Sequence, residues 1–191
     1  MDLKQRSGFV LVFVHWGNEL FPYPRPEERK IAKMLAESGT DIIIGHHPHV
    51  VRGMEMFGTC QVFYSIGNYF FSNFNKNLGD NGSDWAPKNR ESICVEISFQ
   101  SGFDPKCKIH AFQQIENKVI IDQKQRSIKS LEKYSKPFHK NLENEYTSWY
   151  ARKFYQFSKF FIRWEFGIRR LGIKGLLNYI TKKIKSFIGF R

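Results

Sequence analysis

Asp41-Ile42-Ile43-Ile44-Gly45-His46-His47-Pro48-His49 is the stretch that decides the fold. Three consecutive isoleucines with no polar interruption read as a strand buried on both faces, the pattern of a parallel sheet. Gly45 lets the backbone turn, and three of the chain's six histidines follow within four residues. Pro48 forbids a helix here and pushes His47 towards extended backbone. In an extended chain residues i and i+2 face the same way, so His47 and His49 are expected to project together and His46 elsewhere. Two imidazoles released at a strand end make half of a metal site. The alternative is a polar histidine loop with no metal. His15, at the end of a second strand, weighs against it.

Upstream, Phe9 to Val14 is apolar throughout and is therefore expected to be a central strand. It ends in His15-Trp16-Gly17-Asn18-Glu19, followed by a proline-punctuated loop. Pro26 suits the first position of a helix, with Glu27 and Glu28 in the first turn where they favour the dipole. Ile31, Met34, Leu35 and Ser38 trace one helical face, and Gly39 stops it. A strand, a helical crossover and a second strand make the two strands parallel. Parallel neighbours end on one edge, where ligands of open α/β sheets bind. Connectivity therefore predicts that His15 meets the cluster of His46, His47 and His49.

Cys60 to Tyr64 reads as a third strand running into Ser65-Ile66-Gly67-Asn68-Tyr69-Phe70. Residues 73–90 are polar and glycine-containing, a long loop that could serve as a lid. Strands near 92–99, 108–115 and 119–121 alternate apolar and polar residues, as an antiparallel addition with one wet face would. Cys60, Cys94 and Cys107 each fall in an expected strand with no CxxC spacing, which predicts buried, reduced thiols. His110 is read as structural and His139 as a surface-loop residue, neither with a functional role.

From Ile128 the pattern turns helical. Phe154, Phe157, Phe161, Trp164, Ile168 and Leu171 form an apolar stripe on a basic helix, and a second basic helix carries Leu176, Ile180, Ile184 and Phe187. Residues 151–191 hold eleven Lys or Arg against Glu165 alone, which leaves +2 of the net +12 for residues 1–150. Such a tail can lie on an anionic membrane surface, or pack on the domain itself or on a partner. Nucleic acid is disfavoured, because no nucleic-acid motif accompanies the charge. No run of 18 apolar residues occurs, and the start lacks the form of a signal peptide. A cytoplasmic or peripheral membrane location in a bacterium is the expectation.

Three motifs together, His15-Trp16-Gly17-Asn18-Glu19, Gly45-His46-His47-Pro48-His49 and Tyr64-Ser65-Ile66-Gly67-Asn68-Tyr69-Phe70, give the chain its likeness. Over about residues 8–72 it resembles the bacterial capsule synthesis protein A (CapA) family of poly-γ-glutamate biosynthesis proteins. That resemblance implies an α/β fold of the calcineurin-like metallophosphoesterase kind. Here it would be partial, over residues 1–125, with a basic helical extension over 126–191. It implies His15, His47 and His49 as metal ligands, with His46, Glu19 and Asn68 as near-site residues that position substrate or ligands. Glu19 could equally be a solvated carboxylate and Asn68 a turn stabiliser. Arg52 is a further candidate for holding an anionic group, with an exposed surface arginine as its default reading.

The family also carries Gly-Asp, Asn-x-Glu and Asn-Asn-His motifs ahead of the first of these three, and none of them stands ahead of His15 here. It therefore resembles the C-terminal half of such a protein; a split gene, an internal start or a truncated gene model would each explain this, and on the first of these an N-terminal half encoded upstream is the partner. Two-metal phosphoesterases use bridging carboxylates and a metal-activated water. Three neutral imidazoles do not balance two dications. The expectation is that this chain alone binds at most one divalent ion (Mn, Fe or Zn) and hydrolyses phosphoesters slowly or not at all. Two functions remain open: a metallophosphatase-like component of the capsule or poly-γ-glutamate machinery, or a non-catalytic accessory associated with membrane or polymer.

Overall fold

A computed structural model of the 191-residue chain describes residues 7–70, 87–100, 102–115, 118–140 and 142–165, with side chains as far as Lys159. The expected lid at 73–90, apart from its last four residues, lies outside these, as does the second basic helix. One compact unit covers Met1–Ser148 and a second covers Trp149–Arg191.

The first unit is mixed α/β. Strands β1 (Leu11–His15), β2 (Ile42–His46), β3 (Met54–Phe57) and β4 (Cys60–Phe63) form one sheet in the order β1-β2-β4-β3. β1, β2 and β4 run parallel, and β3 is antiparallel to β4. Helix α1 (Pro26–Glu37) makes the crossover between β1 and β2. Strands β5 (Glu91–Ser98), β6 (Lys106–Ile115) and β7 (Lys118–Ile121) form a second, antiparallel sheet. Helix α2 (Arg126–Ser135) follows, and α3 (Thr147–Glu165) runs on from the end of this unit into the second.

β2 is the middle of the fold because its sequence allows nothing else. Ile42 and Ile43 are wholly buried and Ile44 nearly so, each side chain contributing about 1.5–3 kcal/mol of transfer free energy. Alternation sends them to opposite faces. Ile42 and Ile44 pack with Val51, Phe63, Ile93 and Leu131 between the two sheets. Ile43 packs with Ala32, Cys60, Val62 and Tyr64 beneath α1. Asp41 registers the neighbouring strand, its carboxylate accepting from Val10 N at 2.8 Å while its own N–H donates to Val10 O at 2.9 Å.

Several expectations from sequence are corrected. β1 is apolar but lies at the edge of its sheet among the described residues, with Phe13 65% exposed. Its composition is that of an interior strand, yet no described strand lies along its outer side. The inward face of α1 is not the apolar row: Ile31 and Met34 are exposed, whereas Glu28, Arg29 and Ala32 are buried. Charge pairing explains the rotation, since Glu28 meets Arg52 and Arg29 meets Glu55 in the interior. Arg52 is accordingly no surface residue; it is fully buried.

Strand β3, not expected from sequence, forms a hairpin with β4 through Gly58 and Thr59. Of the cysteines, Cys60 is buried, its thiol pushed up to about 11 by burial and by Asp41, but Cys94 is exposed. The boundary expected at residue 125 falls inside the first unit, because α2 sends Leu131 and Tyr134 into the interior. No helix among the described residues is long and apolar enough to cross a membrane.

Candidate metal centre

β1 and β2 deliver their last residues side by side, with His15 paired to His46 in the parallel register. Gly45 is required there. A Cβ would drive into the carbonyl of Tyr64 and the indole of Trp16, which are themselves joined by a 3.0 Å hydrogen bond from Trp16 Nε1 to Tyr64 O. Trp16 N donates to His46 O at 3.2 Å, so the two strand ends leave the sheet together.

Past His46 the backbone does not stay extended. His47 has φ +96° and His49 φ +59°, left-handed values that residues with a Cβ rarely adopt. The two imidazoles converge, as expected from the sequence, but through a strained turn across Pro48 and not by strand alternation. Such strain costs on the order of 1–3 kcal/mol per residue and persists only where neighbours enforce it. Here the neighbours are Leu20, whose N–H donates to Pro48 O at 2.8 Å, and Asn68.

Asn68 does more than hold the turn. Its Nδ2 donates to two carbonyls, His49 O at 3.3 Å and Asn89 O at 3.1 Å. Carbonyls only accept, so the amide can be oriented one way alone. Its Oδ1 then faces His49 Nδ1 at 2.8 Å, and that nitrogen must carry the proton. The lone pair of His49 is thereby placed on Nε2, the tautomer a metal ligand needs.

Donor atoms of Glu19, His47 and His49 all lie within 4.8 Å of one another. Ligands bound at about 2.0–2.2 Å from one ion stand no more than about 4.4 Å apart, so shifts of tenths of an ångström would close the trio on a cation. Two imidazoles and a carboxylate suit Zn, Fe or Mn. His15 stands beside this trio, its ring centroid 4.6 Å from that of His47, whereas His47 and His49 are 6.1 Å apart. His46 lies against Phe13 at 6.1 Å.

Electrostatics favour the neutral form of two of these imidazoles, His47 and His46. His47 is held below the usual histidine range by burial and by His15, with Glu19 opposing and His49 and Arg52 adding to the effect. His46 is lowered by burial and then by His15. The six residues singled out from sequence thus fall at one sheet edge, with Glu19 in the closest donor group and His46 on the Phe13 side. His110 is engaged elsewhere, its Nε2 2.6 Å from Glu96 Oε2 on the antiparallel sheet. His139 bonds the carbonyl of Lys136 in a short exposed helical turn.

Sequence reasoning missed the support beneath the site. Arg52 and Glu28 are buried there as an ion pair at 2.8 Å. The only signal was position: an arginine three residues after His49, and an acid where an inward-facing helical residue belongs.

The fold and site define a class, an α/β protein that gathers imidazoles on the carboxyl edge of parallel strands. Residues 2–73 match the family described as bacterial capsule synthesis protein PGA_cap, and over that segment the chain is similar to its members. Among relatives, the PGA biosynthesis protein CapA of Bacillus subtilis is 39% identical over 70 residues, covering 37% of this chain and 18% of that protein. The capsule biosynthesis protein CapA of Bacillus anthracis is 40% identical over 68 residues, 36% of this chain and 16% of its own length. An uncharacterized protein of Sinorhizobium fredii is 33% identical over 82 residues, 40% of this chain and 17% of its own. The chain therefore spans under a fifth of the length of each of these relatives.

Proposed function

We propose that this chain supplies one half of a divalent-metal centre of metallophosphoesterase type, serving the synthesis of bacterial capsule or poly-γ-glutamate. The observation that carries the reading is the convergence of Glu19, His47 and His49 at the ends of β1 and β2, with His15 alongside. The likeness of residues 2–73 to capsule synthesis proteins supports the biosynthetic setting.

His47 and His49 would hold the ion through neutral nitrogens and Glu19 through its carboxylate; His15 is placed to share it or to hold a second. A bound divalent ion would supply Lewis acidity and a water of lowered pKa. The chain's own part is to fix these donors: Asn68 sets the His49 tautomer, and the strained turn presents both imidazoles at once. One carboxylate offsets only half the charge of one dication. Carboxylates from a further polypeptide segment would therefore be needed for two, and the apolar, exposed edge of β1 beside His15 gives that segment a place to pair.

Metal analysis of the purified chain, alone and co-expressed with any product of the upstream reading frame, tests this. The expected result is at most one ion per chain alone, lost in His47→Ala, and two on co-expression. A chain that takes up no metal in either state overturns the reading. Phosphoesterase turnover by the 191-residue chain alone, abolished in His47→Ala, would overturn its incompleteness.

A second reading, a membrane-associated accessory, is favoured by α3. There Tyr150 stacks on Phe154 at 5.9 Å and Phe154 lies 6.5 Å from Phe157, while Arg152, Lys153 and Lys159 are exposed. Cosedimentation with vesicles rich in anionic lipid, released by salt, is expected on that reading. No binding at low salt sinks it.

A further inference from the structure

Arg52 is wholly buried and spends each of its three nitrogens on a different acceptor. Nη2 donates to Asn18 O at 2.8 Å and Nε to Phe21 O at 2.9 Å. Nη1 donates to Glu28 Oε2 at 2.8 Å. Two of these acceptors are the carbonyls on either side of the short turn that carries Glu19. The third is the acid that holds the guanidinium in place, itself braced by Arg25 Nε at 2.7 Å from its other oxygen.

The turn is moulded onto this guanidinium. Gly17 has φ +99°, and a Cβ on it would run into Arg52 itself. Leu20 is also left-handed, with φ +58°, and its N–H is committed to Pro48 O in the histidine turn. Glu19 is thus pinned on one side by Arg52 and on the other by the segment bearing His47 and His49. The Arg52 backbone N–H is fixed to Ser65 O at 3.0 Å, three residues before Asn68.

We infer that Arg52 is the positioning residue for Glu19: it makes that carboxylate the third donor beside His47 and His49 without touching the ion itself. This rests on the metal reading above. The role needs a planar fork. A lysine ammonium is a point donor on a flexible stem and does not reproduce the rigid fork that spans both carbonyls and Glu28. Removing such outer support weakens metal binding typically about 10–100-fold.

Cobalt(II) titrated into the whole chain, followed by calorimetry and by the visible absorption of the bound ion, tests this as a double-mutant cycle. Arg52→Lys is expected to weaken cobalt binding at least about 10-fold and to give the spectrum of Glu19→Gln. The double variant is expected to bind no more weakly than Glu19→Gln alone. Should Arg52→Lys fail to fold by circular dichroism, Gly17→Ala displaces the same turn from the guanidinium with no charge removed, and the same cycle applies. Wild-type spectrum and affinity in a folded Arg52→Lys chain overturn the inference. So does an equal loss with and without the Glu19 carboxylate, which would mark Arg52 as a general stabiliser. A wild-type chain that binds no cobalt, alone or co-expressed with any product of the upstream reading frame, overturns the metal reading itself, a result separable from these.

Discussion

Two groups of titratable side chains draw members from the segment between Gly45 and Arg52, and they are built on opposite plans. Beneath α1 every acid is matched. Glu28 pairs with Arg52, and Glu55 with Arg29, all four buried. Tyr64 Oη donates to Glu55 at 2.7 Å, and the Arg29 guanidinium lies 4.2 Å from the Tyr146 ring centre. Burial pulls Arg29 down, but its bond to Glu55 outweighs this, while burial and Glu55 drive Tyr64 well above its ordinary value. At the sheet edge, by contrast, the imidazoles face one another, and burial first and His15 second lower His46 and His47. One cluster answers its own charges. The other gathers lone pairs and one carboxylate around a point where a cation would lower the energy of all of them. A count of charged residues would treat the two alike; their pairing separates structure from candidate chemistry.

The largest effect should come from opening the closed cluster. Glu55→Ala leaves Arg29 buried without its carboxylate and Tyr64 without its acceptor, a loss of about 3–5 kcal/mol in urea unfolding. His47→Ala, at the half-buried edge, should cost under about 1 kcal/mol in the metal-free chain, because among the described residues its ring contacts are with other imidazoles and not with a charged partner in an ion pair. Equal losses at the two sites would erase the distinction drawn above.

Next in size is the link that makes the open cluster ready for a ligand. Asn68→Ala frees the His49 ring to take either tautomer and should weaken zinc binding about 10–100-fold. Isothermal titration reads this directly. An unchanged affinity would mean that the turn, not the amide, presents His49.

Much of this was legible in the sequence, and the failures share a cause. The crossover from β1 to β2 and the meeting of His15 with the histidine turn follow from hydrophobic runs and connectivity, which one chain states plainly. The Glu28–Arg52 and Arg29–Glu55 pairs do not, since periodicity scores Glu28 and Arg29 as solvated and only a partner 24 or 26 residues away makes their burial affordable. β1 was misplaced for the converse reason. Its composition reports an environment buried on both sides, which the described residues do not provide. The left-handed turn at His47 and His49 was also beyond reach, because Pro48 argues for the opposite geometry and the hydrogen bonds that override it come from Leu20 and Asn68.

A third acid, Asp122, tests whether the closed plan extends to α2. Burial pushes its carboxyl up, but the Arg126 side chain and the N–H groups of Arg126 and Lys124 outweigh this and hold it below the usual value. A folded value under the unfolded one means stability that is full above about pH 4 and lost as pH falls through the folded value. Asp122→Asn, which turns charge-assisted hydrogen bonds into ordinary ones, should therefore lie about 1 kcal/mol below wild type at pH 7. The two urea curves should approach each other in acid. A gap independent of pH would assign the loss to packing.

The smallest effect has the sign that distinguishes a site from a scaffold. Glycine tolerates φ +96° without the Cβ clash that His47 bears, although it loses more backbone freedom on folding. The strain relieved and the entropy lost differ by little, with strain the larger, so His47→Gly should raise metal-free stability by about 0.5 kcal/mol while abolishing metal uptake. A chain selected for stability alone would have glycine there. A fall of 1 kcal/mol or more in the glycine variant would instead make the imidazole part of the packing, and the two clusters would then differ in exposure but not in purpose.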